Sequence, residues 1–209
     1  MSKSVIARPV VFVAVLAAVA VAFAAAGWTL MSRGGASARG PLVIAVDRAS
    51  LPDALADAPF IAANDRAEVW IVSTPDCPAC AELERGLAAR LAKRGVGVRV
   101  MIAAPRDEDY APANLARVAG LAARLDWATY VACFRDGEQA CAAEALEPAA
   151  EDGYLEWGRA ALDRIAVIVR ANDAEVAYPL VFWRAGKEWR GAVGGDAEAL
   201  AALERDFGS

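Results

Sequence analysis

Cys77, Pro78, Ala79 and Cys80 set two thiols three positions apart, between an apolar strand-like run, Val69 to Val72, and a helix-like run, Ala81 to Arg94. With Cys77 as N-cap and Pro78 in the first helical position, the missing proline N–H removes nothing and its fixed φ favours the helix start. The two thiols then lie one turn apart and can join. The first turn also presents unpaired N–H groups and the positive end of the helix dipole, which favour the thiolate of Cys77. Such a thiolate attacks a disulfide, holds the product as a mixed disulfide and is released by its neighbour. Cys80, Leu83, Leu87 and Leu91 share one helix face, so Cys80 is expected to point into a core while Cys77 stays at the exposed tip. Cys77 is the expected nucleophile and Cys80 the resolver. Lys93, Arg94 and Gly95 form the stop signal.

Zinc is the competing use of a Cys-x-x-Cys pair. It needs four ligands, the other two cysteines, Cys133 and Cys141, are too widely spaced for a metal knuckle, and the 209-residue chain has no histidine. No metal and no cofactor are expected. The absence of histidine also removes Ser-His-Asp and Cys-His catalysis. A formal net charge of -5 without a basic patch argues against nucleic acid.

Residues 1–9 read as a cytoplasmic N-terminus and 10–31 as an uncharged apolar segment of about the 20 residues that cross a bilayer as a helix. Trp28 falls near its outer end, and Lys3 and Arg8 precede it, a slight bias toward an inside N-terminus. This orientation anchors the chain once in a bacterial inner membrane, with the rest facing the periplasm, where disulfides persist. The alternative is a cleaved secretory signal ending at Ala36-Ser37-Ala38. Residues 32–40 are a Gly/Ser/Ala linker, and 41–209 are long enough for one globular domain.

Within that domain, Pro41 to Val46 is a short strand candidate and Ser50 to Asp53 opens a helix. Glu68 to Thr74, the cysteine helix and Gly97 to Ala103 form a βαβ unit. The thiols thus sit at a strand's C-terminal end, where open α/β sheets place their sites. Pro112 to Trp127 has helical periodicity, and Tyr154 to Arg170 is a further helix, so a helical insertion occupies about 112–160. A continuous helix would part the α-carbons of Cys133 and Cys141 by about 12 Å. A disulfide tolerates about 4.4–6.8 Å. Asp136-Gly137 offers a turn, so a helix–turn–helix closed by a structural Cys133–Cys141 bond is expected in an oxidising compartment. Tyr178-Pro179 opens the strand Leu180 to Trp183, Arg184 to Lys187 turn a hairpin, and Asp196 caps a final helix. By residue statistics alone Pro179 is trans.

This order of elements, together with TPDCPAC and YPLVFWRAGKEWRGAVGG, resembles the thioredoxin fold and is similar to the catalytic domain of Dsb-type periplasmic disulfide isomerases over about Glu68 to Phe207. The resemblance implies an α/β fold with a central mixed sheet and thiol–disulfide exchange with protein thiols or disulfides. It further implies a cis Pro179 beside the cysteines, with Pro78, Ala79, Tyr178 and Pro179 contacting substrate. A membrane redox partner is implied too. Pro41 to Arg66 is too short for the isomerases' dimerisation domain, which points to a monomer. Ile71 stands where thioredoxins bury an acid to take the resolver's proton, and Glu68 is expected on the other sheet face. The alternative function is a non-catalytic binding or assembly factor that uses the groove beside Pro179.

Overall fold

A computed structural model describes residues 42–44, 51–132 and 146–208. The elements are β1 Leu42–Ile44, α1 Leu51–Ala56, β2 Ile61–Ala62, β3 Val69–Ser73, α2 Pro78–Leu83, a π-helical segment Glu84–Ala88, α3 Ala89–Lys93 and β4 Val98–Ile102. There follow α4 Pro112–Arg124, α5 Trp127–Tyr130, α6 Pro148–Ala171, β5 Leu180–Ala185, β6 Glu188–Val193 and α7 Ala197–Phe207. Among the described residues, six strands form one mixed sheet in the order β1-β6-β5-β3-β4-β2. β3 and β4 run parallel, and every other neighbouring pair is antiparallel. Among the described residues no helix is long and apolar enough to cross a membrane; the expected anchor at 10–31 and the linker at 32–40 lie outside them.

Side chains alternate between two faces along each strand. Val69, Ile71, Val98, Val100, Ile102, Val181 and Trp183 point to one face, against Leu83, Leu87 and Leu91 of the cysteine helix and Leu203 of α7. Val72, Met101, Leu180 and Phe182 point to the other, against Leu51 and Leu55 of α1 and Leu162, Ile165 and Val169 of α6. Both faces are covered, which is why the central strands read as nearly continuous apolar runs.

Local chemistry sets the ends of these elements. Gly95, at φ 79, terminates α3 in the left-handed region that an L side chain avoids. At Gly97 a Cβ would lie 2.4 Å from that of Arg66, so the tight approach of the two chains before β3 and β4 requires glycine. The Gly97 N–H donates to Glu68 Oε2 at 2.8 Å, so Glu68 ties the two strand starts together. α4 stops earlier than its periodicity suggests, because Leu125 turns left-handed at φ 50 and Asp126 then caps α5. α6 begins six residues before the expected Tyr154, with Pro148 in its first turn. The two-residue β2 is too short to register as a pattern. The expected Cys133–Cys141 bond, and the turn at Asp136-Gly137 that would allow it, lie outside the described residues.

Candidate active site

β3 delivers the chain to the buried Thr74 and Pro75, and Asp76, at φ 57, turns it into the helix. Asn114 Nδ2 of α4 donates to Asp76 Oδ2 at 2.5 Å and fastens this turn from the side. Cys77 is the N-cap, with extended backbone, and its Sγ accepts the N–H of Cys80 at 3.2 Å. Pro78 occupies the first helical turn, as the spacing predicts. Cys77 and Cys80 are joined as a disulfide with their α-carbons 5.3 Å apart. Their surroundings differ: Cys80 is 2% exposed, Cys77 is half-buried, and Pro78 and Ala79 are exposed. An incoming sulfur therefore reaches Cys77 first.

The Tyr178–Pro179 bond is cis. Leu180 pairs with Val72 in register, so Pro179 stands level with Ser73 at the end of the sheet that carries the cysteines. The Gly194 N–H donates to Ala177 O and Pro179 O at 3.1 and 3.0 Å and holds this segment in place. Pro179 is buried and Tyr178 half-buried. Burial, and secondarily the neighbouring Asp107 and Glu108, push the Tyr178 hydroxyl up to about 12. Tyr110 donates to Glu108, and burial first and this carboxylate second raise its hydroxyl well above the ordinary tyrosine range. Both rings remain neutral hydrogen-bond donors through the physiological range.

One buried charge escapes the reading of the strand. Glu84 is 5% exposed and stands one helical turn after Cys80, where the π-helical segment begins. Its Oε2 accepts from the Tyr130 hydroxyl of α5 at 2.7 Å. Desolvation raises its pKa, opposed by the hydroxyls of Ser73 and Tyr130. Ser73 Oγ is buried without a well-formed hydrogen bond, yet it is close enough to favour the carboxylate. A buried acid does stand one helical turn from Cys80, then, on the helix rather than at Ile71 of β3. The signal was present: Cys80, Glu84, Leu87 and Leu91 continue a single stripe at four-, three- and four-residue steps. Asn114 and Tyr110 gave no such signal, because only the tertiary fold brings α4 and its preceding loop to residues 74–76.

The chain matches no protein family model and no curated protein. The mixed sheet flanked by helices and the close Cys77–Cys80 pair are compatible with a thioredoxin-like fold and with a redox-active dithiol.

Proposed function

We propose that this chain is a thioredoxin-like thiol–disulfide oxidoreductase acting on protein substrates from the outer face of a bacterial inner membrane. The observation that carries this reading is the unequal pair: a half-exposed Cys77 at a helix start, joined to a buried Cys80, at the sheet end that also carries the cis Pro179. In the reducing direction the Cys77 thiolate attacks a substrate disulfide. One substrate sulfur leaves as a thiolate and takes up a proton, and the other stays bonded to Cys77. Cys80 then gives its proton to the Glu84 carboxylate, attacks Cys77 Sγ and expels the second substrate sulfur. The substrate gains two electrons and the pair returns to the disulfide; run backward, the same steps oxidise a dithiol. Pro78, Ala79, Tyr178 and Pro179 form the surface along which the substrate chain rests. The apolar segment 10–31 supports the membrane tether, and a membrane redox partner resets the pair.

Purified full-length chain should catalyse insulin reduction by a small dithiol, Cys77→Ser should abolish this, and Cys80→Ser should accumulate mixed disulfides. Equal rates for wild type and Cys77→Ser would instead favour a binding module working through the groove beside Pro179.

A further inference from the structure

A cavity of about 520 Å³ opens beside Tyr178, between α6 and the loops that follow β4 and precede β5. It lies at the cysteine end of the sheet but over the opposite face, so a chain crossing Pro179 meets Tyr178 and then this space. Its floor is a stripe of α6. Arg159, Asp163, Ala166 and Arg170 line it at steps of four, three and four residues, which places them on one helix face. The two arginines, eleven residues apart, are separated by about 16 Å along the helix axis.

Part of the charge here is already matched. Arg106 Nη1 donates to Glu156 Oε2 at 2.8 Å, and its Nε lies 3.7 Å from Asp163 Oδ2, so the acid in the middle of the stripe is occupied. Glu108 accepts from Tyr110. Arg159 is steered by its Nε, which donates to Ala104 O at 3.0 Å. Arg170 is exposed, makes no ion pair among the described residues, and is the cation whose field acts on the Tyr178 hydroxyl. Asp107 and Glu108 face the same hydroxyl from the loop wall and set up the competing, basic preference.

We infer that the cavity beside Tyr178 is a substrate subsite that takes an extended polypeptide segment flanking the reacting cysteine, and that Arg170 selects segments carrying a carboxylate there. This rests on the exchange activity proposed above and specifies its substrate class. The selecting cation comes from a rigid helix wall rather than a solvated loop, and Arg159 offers a second cation farther along the same helix face. An extended chain advances about 3.3 Å per residue, so the two arginines match acidic side chains about five residues apart.

The test uses reduced full-length chain and short peptides whose single cysteine is held as a mixed disulfide with a chromogenic aryl thiol. Attack by Cys77 on the peptide sulfur releases the aryl thiolate and leaves the peptide in the groove. Glu, Gln or Lys is walked along both sides of the cysteine. At one position Glu should exceed Gln, and Gln should exceed Lys, with steps of about three- to tenfold in kcat/KM carried mainly by KM. Arg170→Glu should reverse the order, and Arg170→Gln should remove the advantage of Glu over Gln. Equal rates for all three residues at every position, an order untouched by Arg170→Glu, or Lys ahead of Glu would overturn the subsite and leave the exchange activity standing. Failure of every peptide to react would overturn both.

Discussion

Glu84 shows how one buried group links folding to chemistry. Burial raises its pKa above the ordinary carboxyl value of 4.5, so between that value and the folded one the folded chain binds a proton that the unfolded chain releases. The stability so gained is complete below pH 4.5 and is lost as pH rises through the folded pKa. Glu84→Gln stays neutral while its amide oxygen still accepts from Tyr130. Denaturation midpoints followed against pH should therefore fall for wild type above pH 4.5 and stay flatter for the variant; parallel curves would remove the buried carboxyl from the account. The same variant should slow release of mixed disulfides at the resolving step. The two cysteines were legible because a three-residue spacing has chemical meaning by itself. Glu84 shares the inward stripe of Cys80, Leu87 and Leu91, whereas Glu82 in the same Ala-Glu-Leu-Glu-Arg run does not; what the sequence withholds is its partner, the Tyr130 hydroxyl that the packing of α5 brings to it.

Helix ends and short strands are where the local pattern and the observed elements differ. The apolar stripe of α4 continues past its real end, because periodicity carries no information about the left-handed turn at Leu125. That residue is 38% exposed and sits in a conformation costly for a side chain, so little packing compensates for its backbone. Leu125→Gly should stabilise the protein by about 1 kcal/mol, read as a rise in the urea midpoint at constant slope. A fall would mean that the Leu125 side chain contributes more than its exposure suggests. The strands β3, β4, β5 and β6 were readable because each is either buried on both faces or turned by glycine at a hairpin. β2 was not, since two residues hold no period. The cis state of Pro179 is invisible to residue statistics and was reached through the resemblance, which recognises the whole arrangement of strands around it.

At the scale of the molecule, the cysteine helix and the C-terminal helix share one core on one sheet face. The fully buried Trp183 donates its indole N–H to Asp206 Oδ2 at 2.7 Å, and the same carboxylate lies 3.0 Å from Arg190 Nη1. This ties α7 to the β5–β6 hairpin. Asp206→Ala leaves a buried donor without its partner and should cost about 1–3 kcal/mol. Because the core is shared, tryptophan fluorescence and protection of reduced Cys80 from alkylation should be lost in a single transition. Two separate transitions would show that the C-terminal half unfolds independently of the site.

Among the described residues, the outermost ribbons of the sheet, β1 and β2, are three and two residues long. Long, flat margins invite another chain to zip onto them, and margins this abbreviated give a visitor little to grip. Under the exchange activity proposed above, a client would be held by one sulfur and a few side chains, then let go, without its backbone being drafted into the host's sheet.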